Sequence, residues 1–313
     1  MINKNISQLA DRFRRLELHA AHSGREVLRV LTDVVNENRA IAISDLVTEL
    51  HENIRYLLDS LPPYAPPLNN INLILLLVEN ALTNGDNIAE VKSQLGSLHK
   101  DASDPLANRD RIANNLLDIL PPDTVVYTHT LSETVLGVLL ELHRIGKLNM
   151  VIVTESRPNN DGWDTARRLA EHNLNVRLTI DAAMPAAIEF AHLMLSGAEI
   201  INLDGSVVGK IGAYSAARLC ELYKKPLYIV ADSNKINYIS WRDFYLNPIT
   251  TTSLGFYYSH PSLDITGNYF DVTPPHLINA YATEKGLITA SDIPSLVSDT
   301  KVSLWLAQQM SDR

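Results

Sequence analysis

The spacing of apolar residues changes at Pro121-Pro122-Asp123, and no other feature restricts the fold of this 313-residue chain so sharply. Before that point apolar positions recur at the period of helices with one buried face. Leu46, Leu50, Ile54 and Leu57-Leu58 make one such stripe, and Ile71 to Leu82 and Val91 to Leu98 continue the pattern. Ser23-Gly24-Arg25-Glu26 has the form of a capping box ahead of Val27, Leu28, Val30 and Leu31. The proline-rich run from Pro62 to Pro67 stops the second helix, since proline lacks the amide and clashes with the preceding turn. After the break, short apolar runs alternate with helical patterns. Strands are expected at Thr124–Thr128, Met150–Thr154, Val176–Ile180, Leu193–Leu195 and Leu227–Val230. Helices are expected at Leu131–Ile145, Asp164–His172, Pro185–Phe190 and Ala213–Leu222. Such alternation predicts an α/β fold, with a helical bundle over residues 1–118 and a doubly wound, mainly parallel sheet over 119–313.

The balance of 27 basic against 36 acidic residues argues against a broad basic face, so direct nucleic-acid binding is not expected. A single cysteine, Cys220, excludes an internal disulfide framework and a multi-cysteine zinc site. His19 and His22 have i,i+3 spacing, but the capping box at Ser23 sets them ahead of its helix, so no metal site is expected. The first residues, Met1-Ile2-Asn3-Lys4-Asn5, lack an apolar signal core. The mostly aliphatic run Ile71–Val78 is too short to span a bilayer. These features predict a soluble, cytoplasmic protein without membrane contact.

Candidate chemistry gathers where strands end, as in open α/β sheets that bind ligands at their carboxyl edge. Between residues 181 and 235 small and charged residues follow each apolar run: Asp181-Ala182-Ala183, Gly197-Ala198-Glu199, Gly205, Gly209-Lys210-Ile211-Gly212 and Asp232-Ser233-Asn234-Lys235. A phosphate loop is excluded, because only three residues separate Gly205 from Gly209-Lys210 and Ile211 replaces the metal-binding hydroxyl. No GxGxxG occurs. The crevice therefore suits an anionic small molecule outside the usual nucleotide signatures, and no cofactor is expected. Lys210, flanked by Gly209 and Gly212, is the foremost anion contact, since glycine permits close backbone approach. Thr130 and Glu133 fit a capping box whose free amides favour an anion, while a purely structural cap is the competing reading. His129 lies on the same turn and is more readily structural than catalytic. Arg157 can fork two hydrogen bonds onto a phosphate or carboxylate, or pair with Glu155 or Asp161. Asp181 and Glu199 can share acid and base work or hold sugar hydroxyls, and one can cap the helix near Pro185. Cys220 sits inside a helix and reads as a buried spectator.

Several of these motifs recur together and in order in a known superfamily. They are Thr128-His129, Thr154-Glu155-Ser156-Arg157-Pro158, Asp161-Gly162, Asp181-Ala182-Ala183, Gly197-Ala198-Glu199 and Lys210-Ile211-Gly212. Pro226 to Ala231, Phe270-Asp271-Val272-Thr273-Pro274-Pro275 and Thr283-Glu284-Lys285-Gly286 complete the set. The chain resembles the alpha, beta and delta regulatory subunits of translation initiation factor 2B, whose superfamily includes methylthioribose-1-phosphate and ribose-1,5-bisphosphate isomerases. The resemblance spans residues 115 to 290. It implies a helical N-terminal domain, a Rossmann-like C-terminal domain that forms dimers, and a sugar-phosphate or nucleotide pocket at the strand ends.

The isomerases carry a cysteine directly after the Thr-His pair, where this chain has Thr130, and an aspartate where it has Glu199. Their Asn-Lys-Ile-Gly-Thr loop reads Gly209-Lys210-Ile211-Gly212-Ala213, and no arginine stands near Pro67 to Leu73. A threonine hydroxyl is far less acidic than a thiol, and an added methylene moves a carboxylate by more than about an ångström. The resemblance thus implies a regulatory and assembly protein that binds a phosphorylated sugar or nucleoside monophosphate without converting it. It would form a homodimer, with higher assembly alongside related subunits. His129, Thr130, Glu155, Arg157, Asp181, Glu199, Gly209, Lys210, Gly212 and Lys235 would line the pocket, with Arg157 and Lys210 on phosphate and Asp181 and Glu199 on hydroxyls. A divergent isomerase using Glu199 and Thr130, and a stand-alone metabolite sensor, are the alternatives.

Overall fold

The computed structural model describes residues 2–38, 42–62, 64–101, 105–239, 260–264 and 267–311. The chain divides into two compact units, residues 1–104, 237–244 and 297–313 in one and 105–236 and 245–296 in the other. The first holds α1 (Lys4–Arg14), α2 (Ala20–Glu37), α3 (Ile43–Leu58), α4 (Ala65–Asn84) and α5 (Ile88–Asp101), with a terminal helix at Leu304–Ser311. Ile6, Leu9 and Phe13 of α1 meet Leu46, Leu50, Ile54 and Leu57 of α3 in one core. Each such side chain, taken fully from water, contributes about 1.5–3 kcal/mol. Pro66 and Pro67 open α4, where their missing amides cost nothing, and Gly85 closes it at φ 76°.

The motif Ser23-Gly24-Arg25-Glu26 does not start a helix. It lies inside α2, where the Ser23 amide donates to the carbonyl of His19, the N-cap residue. Gly24 is there for packing: a β-carbon on it would lie 2.7 Å from the Pro66 side chain of α4, and Asn70 of α4 donates to its carbonyl at 2.8 Å. Helix crossing, not capping, explains the glycine.

The second unit runs α6 (Pro105–Leu116), β1 (Thr124–His129), α7 (Glu133–Arg144), β2 (Leu148–Thr154), α8 (Asp161–Glu171), β3 (Val176–Thr179), α9 (Met184–Phe190) and β4 (Leu193–Ser196). It continues with β5 (Ile200–Ile201), β6 (Val207–Lys210), α10 (Ala213–Leu222), β7 (Leu227–Val230), β8 (Phe270–Thr273), β9 (Ala280–Thr283), β10 (Gly286–Ile288) and α11 (Ile293–Leu296). Seven strands form a sheet in the order β10-β9-β7-β4-β1-β2-β3, parallel except for β10. Central β1 is buried at every position, as its unbroken apolar run demands. The chain winds outward from β1 to β3, returns at β4 and winds the other way, so the order reverses between β1 and β4. A crevice opens at the carboxyl ends of strands flanking such a reversal.

A second sheet, β5-β6-β8, is antiparallel. The sequence reading assigns no strand to Val207–Lys210, but this segment is a strand that pairs with Phe270–Thr273. No described helix is long and apolar enough to cross a membrane.

Candidate functional site

At the reversal, the turn that follows His129, the last residue of β1, brings Ser132 against Gly197, which follows β4. A β-carbon on Gly197 would lie 2.5 Å from the Ser132 hydroxyl, so only glycine fits there. Four residues at this edge have left-handed backbones: Thr130 (φ 64°), Ser156 (φ 62°), Asn160 (φ 61°) and Gly212 (φ 100°). For a β-branched residue such as Thr130 this conformation is costly and marks a turn that its surroundings enforce. Thr130 is not the helix cap the sequence suggests. Ser132 caps α7, its hydroxyl accepting from the Val135 amide, and Glu133 pairs with Arg168 at 2.6 and 3.0 Å instead of closing a capping box. The Thr130 carbonyl accepts from Thr165.

His129 is buried and committed at both nitrogens. Nε2 lies 2.8 Å from the Ile211 carbonyl, which only accepts, so Nε2 carries the hydrogen. Burial holds the imidazole below its ordinary pKa, so the ring is neutral and Nδ1 accepts, from the Thr154 hydroxyl at 2.7 Å. Thr154 in turn lies 3.1 Å from the Tyr127 hydroxyl. The hydrogen bonds thus run in one direction from Tyr127 through Thr154 and His129 to the turn after β6.

Asp181 does not cap α9. Its two oxygens accept from the amides of Ser156 (2.9 Å) and Arg157 (2.8 Å), fixing the turn after β2. Glu155 takes part in this turn through its backbone, donating to Thr179 and accepting from Gly162. Arg157 is exposed; Asp161, one of its expected partners, instead holds Lys210 at 3.1 Å. The Lys210 side chain is only 8% exposed, and its ammonium also sits 5.1 Å above the Tyr269 ring. Gly209 lies opposite Asp271 across the β6–β8 pair.

Lys235 pairs with Glu199 at 3.8 Å, both largely buried. The amide of Glu199 donates to Val208 of β6, so this pair and Lys210 are anchored to the same strand. Next to Lys235, burial raises the Asp232 carboxyl above its ordinary value, with Lys235 opposing and Glu284 adding to the rise. Glu284 accepts from the amide and hydroxyl of Ser233. Cys220 is buried against Met194, its thiol pushed up to about 12 by desolvation, and does not serve the site.

Asp161, Tyr269, Asp271 and Glu284 are structural partners of the site that the sequence does not assign to it. Their motifs are visible, but which lysine or amide each serves depends on pairings between distant segments.

The model of the initiation factor 2 subunit family matches residues 19–290. The chain belongs to that family. Among its relatives, translation initiation factor eIF2B subunit alpha of Dictyostelium discoideum is 29% identical over 296 residues, covering 89% of this chain and 90% of that protein. A ribose 1,5-bisphosphate isomerase of Pyrococcus furiosus is 24% identical over 303 residues, covering 92% of this chain and 91% of that one. The fold is similar to a solved eIF-2B translation initiation factor of Pyrococcus horikoshii OT3, with TM-score 0.74 and 22% identity over 92% of this chain and 98% of that one. It is equally similar to a 5-methylthioribose 1-phosphate isomerase of the same organism, with TM-score 0.75 and 20% identity over 95% and 88%. The family thus includes relatives named as translation factors and relatives named as sugar-phosphate isomerases.

Proposed function

We propose that this family member is a cytoplasmic regulatory and assembly protein that binds a phosphorylated sugar or nucleoside monophosphate without turning it over. The observation that carries the reading is the pair Thr130 and Glu199 at the sheet reversal. An aldose-to-ketose shift moves a proton between adjacent carbons and needs a group that gives and retrieves it near neutral pH. Thr130 offers only a hydroxyl, in a strained turn. Glu199 stands against Lys235. The only cysteine lies in α10, buried and far from ionising.

Lys210 and Lys235 are the cations for a phosphate, with Arg157 at the rim, and Asp181, Glu199 and Glu155 accept from hydroxyls. His129, Thr130, Gly209 and Gly212 shape the wall. Both lysines are already paired with carboxylates, so an arriving phosphate exchanges one anion for another at each. In this reading the protein forms a dimer through the sheet unit, joined by related subunits, with the helical unit serving contacts with partner proteins.

The reading is tested by incubating purified protein with ribose 1,5-bisphosphate or methylthioribose 1-phosphate and following ketose by NMR, with thermal unfolding in parallel. A ligand at one hundred times its Kd adds about 2.7 kcal/mol, or roughly 5–10 °C for a unit of this size. The expected outcome is a thermal shift without ketose. Turnover that disappears in Glu199→Gln would establish the divergent isomerase instead.

A further inference from the structure

The turn Lys210-Ile211-Gly212 has a second anchor besides His129, and it lies on β8. Asp271 Oδ2 accepts from the Gly212 amide at 2.8 Å, and both its oxygens lie 3.1 Å from the Tyr214 amide. These are amides at the start of α10 that the helix itself leaves unbonded. Two residues earlier, the Tyr269 carbonyl accepts from the Ile211 amide at 2.8 Å, and the Tyr269 ring lies under the Lys210 ammonium. On the opposite side His129 Nε2 donates to the Ile211 carbonyl. The turn has no slack: a β-carbon on Gly212 would lie 2.8 Å from the His129 ring.

We infer that Asp271 is a positioning residue of the strand-end mouth, whose carboxylate holds the turn that aims Lys210 at the ligand. This rests on the ligand reading given above. A built-in carboxylate occupies the start of α10, so that helix end is no anion site for a ligand, and the lysines are left to take the phosphate. Burial from water pushes the Asp271 carboxyl up to about 6, while the two amides oppose the rise. Above that pH it accepts at both oxygens; once protonated, one oxygen becomes a donor and the amides of Gly212 and Tyr214 are left to share the other.

Lys210 of β6 is paired with Asp161, and Arg218 and Glu221 of α10 pair with each other. His129 is held neutral by burial. Tyr214 and Tyr269 bring phenols, and His276 follows β8 on the exposed side.

Hydrogen exchange of the Gly212 and Tyr214 amides, corrected for intrinsic rate, should lose at least about tenfold protection in the intact wild-type chain from pH 7.5 to 5, with a midpoint near 6. Asp271→Asn, which keeps one acceptor, should show low protection that does not vary across this range. Its affinity for ribose 1,5-bisphosphate should be about tenfold weaker than wild type at pH 7.5, the difference vanishing at pH 5. The titration of the ligand's own phosphates is common to both proteins and cancels in that ratio. Protection that stays level through pH 6 in the wild type, or persists in the variant, overturns the inference. So does lost protection with unchanged affinity, which would make Asp271 a helix cap alone. A wild type that binds no sugar phosphate sinks the ligand reading, and the exchange series then decides by itself whether Asp271 holds the turn.

Discussion

Gly162 supports the clearest single perturbation of the site. It is the second residue of α8, directly after Asp161, where the helix start meets the end of β2. A β-carbon added there would lie 1.8 Å from the Thr154 carbonyl oxygen, 2.9 Å from its carbon and 3.1 Å from the Glu155 carbonyl carbon. All three atoms are backbone, so no rotamer change relieves the clash. The helix start has to retreat by more than an ångström, and Asp161 moves with it, away from Lys210 at 3.1 Å. Overpacking of this kind costs about 1–3 kcal/mol, and weakening a largely buried ion pair adds to that. We expect Gly162→Ala to lose about 3 kcal/mol, a fall of roughly 6–12 °C in the melting of the sheet unit. Gly96→Ala is the control, because Gly96 lies exposed in α5 with nothing within 4 Å of an added β-carbon. The same substitution there should stabilise the helical unit by about 0.5–1 kcal/mol. Scanning calorimetry of both variants decides the matter: if Gly162→Ala melts within a degree of wild type, the close approach of α8 to β2 is wrong.

Three further outcomes follow from the same geometry. Because Asp271 is raised from its ordinary 3.8 to about 6, the folded state binds its proton more tightly than the unfolded chain. Its contribution to stability is therefore greatest below 3.8 and falls as pH rises through 6, by up to about 3 kcal/mol; urea titrations at several pH values should show that slope disappear in Asp271→Asn. Lys210→Met strands Asp161 and should cost about 2–3 kcal/mol in urea unfolding, much of it restored by adding Asp161→Asn, whereas additive losses would contradict the pair. Cys220, buried and held protonated, should resist a thiol reagent in the native protein at pH 8 and react fully in denaturant.

Much of the fold is legible because its local signals agree with one another. The helix Ala213–Leu222 and the strand Leu227–Val230 end where the apolar pattern ends. The reversal at β4 follows from alternating strands and helices only once pairing order is known. The second sheet is hidden for a physical reason: β6 has two valines followed by Gly209 and Lys210, and its partner β8 lies some sixty residues on. Ser23-Gly24-Arg25-Glu26 misleads because a glycine needed for helix crossing supplies the spacing of a capping box. Thr130 misleads likewise, since Ser132 two residues later caps the helix and frees Thr130 for a left-handed turn. The residues of the mouth are named by their place after each strand. Their bonding is not, because Asp161 with Lys210, Glu199 with Lys235 and Asp271 with Gly212 are each joined across more than thirty residues.

Those pairings change what kind of binding site the mouth can be. Two bare lysines would draw a phosphate from a distance, and a broad excess of positive charge would accept many anions. Here Lys210 meets Asp161 and Lys235 meets Glu199, so the two cations are balanced before any ligand arrives. A dianion gains little from long-range attraction and must instead match the lysines closely enough to replace carboxylates already in contact. Hydroxyls are favoured by the same arrangement, since Asp161 and Glu199, released from their lysines, remain within reach as acceptors. On the ligand reading we propose, the selection is for a molecule carrying both groups at a fixed separation, which describes a sugar phosphate better than it does inorganic phosphate. A turn clamped by His129 on one side and Asp271 on the other suits that task, because discrimination by fit demands a wall that does not yield.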